Sequence, residues 1–556
     1  MADFLIFPQP HSDHQVKAPA NDEKLSIDLP NGFLLEIWGT SDTYSFIKSA
    51  DDFLLIIGFA SHVSELDTRE AMARVLSSFK KTDIGLIKEA FIGEYVFLIK
   101  KGPELFLFSD FVGTRNIFFS KDMAIASSSY SCVEAKIDTG SDDLNPYKYV
   151  EFIAMRHVLY PSWLGSSTYN ERISWLLPYE YLVINLEKRE YRTESLSFIL
   201  DNERSCDKSL LSNELLSILR NLVNRKEFGQ SKIVATITGG HDSRLIAALV
   251  LEAFGDHVRF RTAVSRRDRR SLKDMKIATK LAKSQNVPHD IFWFSAERDA
   301  AIYQLITEGF SPLYNETISP LIEGAGDYSL GFGGAFGTEL FMPIPWASID
   351  AFIQNRINAS RIHMHVGDAF WSSFREAIYD QFGAIKEHYY LNRVEERDYI
   401  RLFCLLVTAR YGSFLFSAFN RYGRQFDPYA TSSVLRFAVR VAPALWGNHR
   451  SLKGKNLIQK EAMSKLNATM GSMMAYQHYR PMLPLTLHTF PKYSWGLAIQ
   501  VAQGYQGRLK SRLKHQADVD LPGGTYRTDG WDANFVSRTQ KAFKLRPEEL
   551  SKLYLR

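Results

Sequence analysis

The pattern of hydrophobic and polar positions changes period once along this chain. Between residues 33 and 186 apolar residues alternate with polar ones in short runs, at 33–38, 53–59, 95–99, 105–108 and 181–186. Alternation with a period of two predicts antiparallel strands that turn one face to a core. A stretch with helical spacing, 68–79, interrupts them. Beyond it the period lengthens: 210–222 carries leucines at helical spacing, and the β-branched runs 232–238 and 258–264 each lead into Leu- and Ala-containing helical sequence. Strands that alternate with helices predict a parallel sheet.

At 556 residues the chain exceeds what one hydrophobic core supports, and the change of period falls near residue 200. Four parts are expected. Residues 1–32, with Pro8, Pro10, Pro19 and Pro30 among polar neighbours, read as an extended N-terminal arm; 33–200 as a front domain; 208–500, behind the polar link 201–208, as a second domain; and 501–556 as a tail or small subdomain. No internal repeat or low-complexity tract breaks this order. With 45% apolar and 23% charged residues the composition is that of a globular protein, and a net charge of +5 over this length implies no nucleic acid partner. Three cysteines fit a reducing compartment, the cytoplasm, without a disulfide framework. No run of about 18 apolar residues could span a bilayer, and the apolar run before Pro8 is too short for a secretory signal. A homodimer stays open.

The densest chemistry lies where the run 232–238 breaks into Thr238-Gly239-Gly240-His241-Asp242-Ser243 and restarts as a helix. Two adjacent glycines let the backbone bring N–H groups close to a polyanion, and helix N-termini favour such anions. Ser243 adds a hydroxyl donor. Asp242 cannot face phosphate directly, but a hard carboxylate oxygen suits Mg²⁺ shared with phosphate oxygens. The expected ligand is therefore a nucleoside triphosphate, with Mg²⁺ on Asp242. The spacing is neither that of the Walker loop nor that of the dinucleotide fingerprint.

These residues resemble the Ser-Gly-Gly-x-Asp-Ser pyrophosphate loop of the ATP pyrophosphatases, with Thr238 keeping the first hydroxyl. Asp274, Ala278 and Ala282, followed by His289, are similar to the Asp-x-x-x-Ala-x-x-x-Ala helix and trailing His of asparagine synthetases. Upstream, Gly93-Glu-Tyr-Val-Phe97, Ser109-Asp110-Phe-Val-Gly113-Thr-Arg115, Ile125-Ala-Ser-Ser128 and Ile173-Ser-Trp-Leu-Leu-Pro178 look like the glutamine amidotransferase domain fused to those enzymes. The resemblance covers roughly residues 33–470. It implies an α/β and α+β chain, an N-terminal αββα (Ntn-hydrolase-like) sandwich followed by a parallel-sheet ATP pyrophosphatase (adenine nucleotide alpha hydrolase-like) domain. It implies nucleotide and pyrophosphate contacts at Thr238, Gly239, Gly240, Asp242, Ser243, Val264, Gly333 and Gly334, and catalytic roles for Glu339 and Lys455.

Departures from the family pattern sharpen the expectation. The glutaminase nucleophile is a cysteine at position 2, whereas this sequence reads Met1-Ala2-Asp3 and its thiols are Cys132, Cys206 and Cys404, expected as buried structural residues. With about thirty residues expected before the first strand, the front domain reads as a degenerate glutaminase-like sandwich kept for structure. In Gly331-Phe-Gly333-Gly334-Ala335-Phe-Gly337-Thr338-Glu339-Leu-Phe341, read as a flexible glycine-rich loop, Ala335 and Thr338 replace two acids of the family motif. Arg421-Tyr-Gly-Arg424-Gln-Phe426-Asp427 is similar to a cleft-closing segment, and Ser451-Leu-Lys453-Gly-Lys455-Asn-Leu-Ile-Gln459 to a helix start whose lysine, Lys455 with Lys453 as fallback, offsets phosphate charge. Arg266-Arg-Asp-Arg-Arg270 could hold a carboxylate or phosphate, or be a solvated loop; 508–514 reads as a solvated basic helix.

The expected activity is ATP-dependent amide formation: a carboxylate is adenylated with release of pyrophosphate and coupled to an amine, without glutaminase action. The substrate would be a small molecule or peptide bearing a carboxylate and an amine, as for β-lactam synthetases and lasso-peptide macrolactam cyclases. Trp346, Trp371, Tyr389 and Tyr390 would admit a large one. Ammonia-dependent asparagine synthesis, sugar-carboxylate amidation and a degenerate nucleotide- or partner-binding protein are the alternatives.

Overall fold

The computed structural model describes residues 3–8, 24–38, 43–293 and 330–473, the last two with short breaks, and 482–495. The front half is a sandwich of two six-stranded antiparallel sheets. One sheet contains Asp3–Pro8, Lys24–Leu29 and Phe33–Trp38; the other is centred on Asp52–His62, Phe91–Lys101 and Glu104–Ser109. Strand alternation explains the layering. Phe4 and Ile6 point into the core between the sheets with Leu55, Val96, Leu98 and Leu107, while Leu5 points to the opposite face with Phe118, Tyr130 and Val133. Helices Thr68–Ser78 and Ile84–Ala90 cover the outer face of the second sheet through Met72, Leu76 and Ile87.

The N-terminal arm expected over 1–32 is corrected by the first two of these strands. Asp3–Pro8 pairs along its whole length with Phe33–Trp38, and Lys24–Leu29 pairs with the same strand from the other side. The prolines that suggested an arm sit at a strand end (Pro8) or in the turn after one (Pro30), where no ladder donor is needed; Pro10 and Pro19 lie outside the described residues. The first strand thus begins at Asp3, not after the thirty or so residues expected.

Two landmarks of the front domain meet in one turn. The Asp110 carboxylate accepts from the amides of Val112, Gly113 and Thr114 at 3.2, 3.0 and 2.9 Å and from the Thr114 hydroxyl at 2.7 Å. Gly113 has φ +75°, and a Cβ there would lie 2.6 Å from Pro178 Cγ. These residues close a turn against Pro178. Their spacing serves folding.

The second half holds a five-stranded parallel sheet in the order His289–Trp293, Val258–Val264, Ile233–Thr236, Leu330–Phe332, Arg424–Phe426. Helix Asp242–Phe254 follows the central strand and stops at Gly255, where φ +52° ends it. The glycine-rich segment is more ordered than its composition suggested, for Gly331 is a strand residue and Gly337 opens the short helix Gly337–Phe341.

The halves are joined by apolar packing. Phe59 of the front domain lies 5.5 Å from Phe426 and 5.4 Å from Phe228, and Phe198–Leu200 pairs in parallel with Tyr389–Leu391. Arg410, fully buried, donates to the carbonyls of Trp163 and Gly165 at 3.0 and 2.7 Å. Trp371 and Tyr389, part of the aromatic content that would permit a larger substrate, are 2% and 0% exposed and belong to the core, whereas Tyr390 faces solvent. Cys404 is buried as expected; Cys132 is half-buried and Cys206 exposed. Among the described residues no helix is long and apolar enough to cross a membrane.

Candidate active site

Strand order alone marks where a ligand should sit. Along the sheet the chain order runs third, second, first, fourth, fifth, so connections leave the central strand in opposite directions. A crevice forms at the carboxyl ends of the strands flanking such a reversal. The loops that open there are 237–241 after the central strand and 333–336 after its neighbour, and Asp427 follows the fifth strand.

These loops are in direct contact. A Cβ on Gly334 would come within 2.6 Å of the Ser243 amide nitrogen, and one on Gly337 within 2.6 Å of Asp242 Cγ. The backbone of the second motif thus lies against the first turn of helix Asp242–Phe254, a distance only glycine permits. Gly337→Ala should weaken ATP binding at least tenfold and lower stability by about 1–3 kcal/mol, the usual cost of overpacking. Calorimetric titration with ATP and a thermal melt check this, and an unchanged ATP affinity would refute it.

Three carboxylates converge on the crevice. Asp242 is held at both oxygens: Gln459 Nε2 donates to Oδ1 at 2.8 Å and Thr338 Oγ1 donates to Oδ2 at 2.9 Å. Burial pushes its pKa up, against the opposing pull of those two bonds and of the Lys455 ammonium. Asp427 accepts from the amides of Ala335 and Tyr429; burial drives its pKa far upward, with the neighbouring charges of Asp242 and Glu339 adding to the rise. Glu339 accepts from the Thr408 hydroxyl at 3.3 Å and is pushed up to about 7, chiefly by burial and further by Asp242.

Lys455 is the cation facing this group. It ends the short strand Gly454–Lys455, paired with Gly447–Asn448, and is 7% exposed. Asn456, at φ +60°, turns the chain directly into helix Leu457–Leu466, which carries Gln459 to Asp242. Lys453, the fallback, lies outside the described residues, as do the side chains of 266–270 and all of 501–556.

The 238–243 loop has internal partners. The Thr238 amide donates to Ser243 Oγ at 3.2 Å, the Gly240 amide to Thr238 Oγ1 at 3.1 Å, and the Gly239 amide to Asp274 Oδ1 at 2.9 Å. No side chain caps the N-terminus of helix Asp242–Phe254. Val264 ends its strand at the same edge of the sheet and is fully buried. His289 is held between Thr262 Oγ1 at 2.9 Å and Thr279 Oγ1 at 3.4 Å, a packing role on the outer strand.

The structure brings Thr238, Gly239, Gly240, Asp242, Ser243, Gly333, Gly334, Glu339 and Lys455 to one crevice. Sequence reasoning quoted Gln459, Asp427 and Asp274 within motifs but gave none of them a role of its own in the site. For Gln459 the signal was weak: it stands in the first turn of helix Leu457–Leu466, close in sequence to Lys455, but Lys455 precedes that helix in a strand.

No family model matches the chain, and no curated protein does. Among solved structures it is similar to glutamine-dependent NAD+ synthetase from Acinetobacter baumannii in complex with adenosine diphosphate, at 13% identity and a TM-score of 0.17, over 33% of this chain and 38% of that one. It is also similar to glutamine phosphoribosylpyrophosphate amidotransferase from B. subtilis complexed with ADP and GMP, at 11% identity and 0.19, over 56% and 63%. A third is NH3-dependent NAD synthetase from Campylobacter jejuni, at 18% and 0.18, over 33% and 84%. The chain thus spans less than two thirds of the first two. None of the three is an asparagine synthetase, and at these scores the likeness carries no argument about the site; the geometry does.

Proposed function

We propose that this chain is an ATP-dependent carbon–nitrogen ligase of the asparagine synthetase type, which adenylates a substrate carboxylate and transfers the acyl group to an amine. One observation carries the reading: the 238–243 loop, the carboxylates of Asp242, Glu339 and Asp427, and the Lys455 ammonium meet at the strand-order reversal of a parallel sheet.

In the first step a carboxylate oxygen of the substrate bonds to the α-phosphorus of ATP, and the bond from that phosphorus to the β-phosphate oxygen breaks. The electron pair leaves with pyrophosphate. Such a displacement needs positioning and charge stabilisation more than covalent help. The first-turn amides of helix Asp242–Phe254 and the hydroxyls of Thr238 and Ser243 would face the leaving pyrophosphate, and Lys455 would offset charge on it. In the second step the amine nitrogen bonds to the acyl carbon, the acyl–phosphate bond breaks, and AMP leaves. Glu339, half-ionised near neutral pH, would take the proton from the attacking nitrogen.

Mg²⁺ fits the residues present. The site offers hard oxygens crowded enough to raise one another's pKa, and each Asp242 oxygen accepts a single described hydrogen bond, which leaves a lone pair for a cation. Among the described residues no three His, Cys, Asp or Glu side chains are arranged to hold a metal ion, so Asp242 would share the ion with phosphate oxygens, the usual arrangement for magnesium. When bound, the ion would neutralise phosphate charge.

For the amine source, the front domain supports a route without glutamine: the strand Asp3–Pro8 carries no thiol. We expect ammonia or a substrate amine to be the acceptor. Purified protein should therefore show product formation with ammonium or an amine substrate and none with glutamine; glutamine-driven turnover refutes this part.

A second reading is a nucleotide-binding protein without catalysis. Ala335 and Thr338 in place of two acids, and loop amides bonded to the chain's own acceptors, favour it. Exchange of labelled pyrophosphate into ATP, scanned over amino-acid, peptide and sugar carboxylates, separates the two. Exchange with any of them supports the ligase, and tight ATP binding without exchange supports the alternative.

A further inference from the structure

Gly239 is gripped from both sides. Its N–H donates to Asp274 Oδ1 at 2.9 Å, and its carbonyl accepts from Arg244 Nη2 at 3.3 Å. Arg244 is fully buried, which lowers its pKa to about 10, and the Asp274 charge opposes that fall. Asp274 belongs to helix Arg269–Ser284, which follows the strand Val258–Val264, so this carboxylate reaches the loop from a neighbouring element. An aspartate accepting from an amide of a pyrophosphate loop meets the same demand as a phosphate oxygen, and one N–H cannot serve both at full strength.

We propose that Asp274 competes with pyrophosphate for the Gly239 amide, holding it between turnovers and expelling the product from the loop. This rests on the adenylating reading above. The physical reason is like-charge repulsion at hydrogen-bond range in a partly buried site, where Coulomb energies are several times those in water. Arg244 offsets the Asp274 charge while the loop holds no anion. When pyrophosphate takes the amide, Asp274 becomes a tethered anion beside a bound one, and returning it to Gly239 drives release. Tight retention of pyrophosphate would favour reversal of adenylation, so a device that ejects it commits the acyl group to the amine.

Two variants of the full-length protein separate competition from scaffolding. Asp274→Asn keeps an oxygen that can accept from Gly239 and removes only the charge; Asp274→Ala removes both. Isothermal titration with inorganic pyrophosphate should give a dissociation constant about tenfold lower than wild type for each, the discounted size of one repulsion at this range. Titration with adenosine, which lacks phosphate, should be unchanged. In the exchange assay both variants should reach half-saturation with pyrophosphate at correspondingly lower concentrations.

If wild type binds pyrophosphate and Asp274→Asn binds it equally or more weakly, the competing role is overturned and the ligase reading stands. Should Asp274→Ala fail to fold, the isosteric Asp274→Asn decides alone. If no folded form binds pyrophosphate, the cradle does not exist and both proposals fall. A matching change in adenosine affinity would assign Asp274 a general structural role and overturn the competition.

Discussion

Asp242→Ala is expected to abolish ATP–pyrophosphate exchange, with a rate loss on the order of 10² to 10³ or more, the scale on which removing one preorganised electrostatic group acts. Asp242 is the residue on which the site's other groups converge. It opens helix Asp242–Phe254, contacts the backbone at Gly337, takes hydrogen bonds from Gln459 and Thr338, and faces Lys455. Asp242→Asn retains the shape and most of this bonding and should fail as badly, because it cannot supply the charge that holds a cation on the phosphates. Stability distinguishes this from unfolding. A carboxyl whose folded pKa is raised contributes stability that is present below its ordinary pKa and lost as pH rises through the folded value. Asp242 is raised, as are Asp427 and Glu339. Removing one of three mutually repelling acids should therefore leave the melting temperature of the ligand-free protein at pH 7 unchanged or higher. A soluble Asp242→Asn protein that melts normally and still exchanges would end the assignment.

Glu339 should set the pH dependence of acyl transfer. With its pKa at about 7, the carboxyl is neutral in mild acid and ionised above neutrality. As a base it acts only when ionised, so at a fixed concentration of unprotonated amine the coupling rate should rise across pH 6–8 and level off, while Glu339→Gln should flatten that limb and lower the rate by about 10² to 10⁴. The stability effect has the opposite sense. Between its ordinary value near 4.5 and about 7 the folded protein holds the proton more tightly than the unfolded chain, so the wild type loses stability relative to Glu339→Gln as pH rises through that window. Single-turnover coupling rates from a preformed adenylate, and paired melts from pH 4.5 to 7.5, measure the two. A pH-independent coupling rate in the wild type would remove Glu339 from the proton transfer.

Much of the fold was legible because side-chain alternation and strand geometry are the same periodicity. Val258–Val264 and Phe33–Trp38 appear with the bounds their apolar patterns gave, and Lys208–Val223 within two residues. Asp3–Pro8 was misread, since six residues before a proline-containing polar stretch carry too little pattern to reveal that they pair with a strand thirty residues on. Gly331 was placed in a loop on composition, yet a central strand covered on both faces tolerates glycine where other side chains cross it: Gln425 Oε1 and the Arg261 guanidinium occupy the space a Cβ would need. Trp371 and Tyr389 are core residues, which aromatic content alone could not tell, because it does not say which face of an element looks inward.

By itself the sequence determined the Thr238–Ser243 motif between a strand and a helix, the change from period-two to helical spacing near residue 200, and the glycines at 334 and 337, because each is a local property of contiguous residues. Only the tertiary structure decided that residues 242, 339, 427, 455 and 459 lie together, that burial raises the three carboxyl pKa values, with neighbouring acids adding to the rise at Asp427 and Glu339, and that Asp274 bonds to Gly239. Those facts depend on strand order and on distances between residues tens to hundreds of positions apart, and electrostatic energy is fixed by distance and solvent exclusion, neither of which a linear pattern carries.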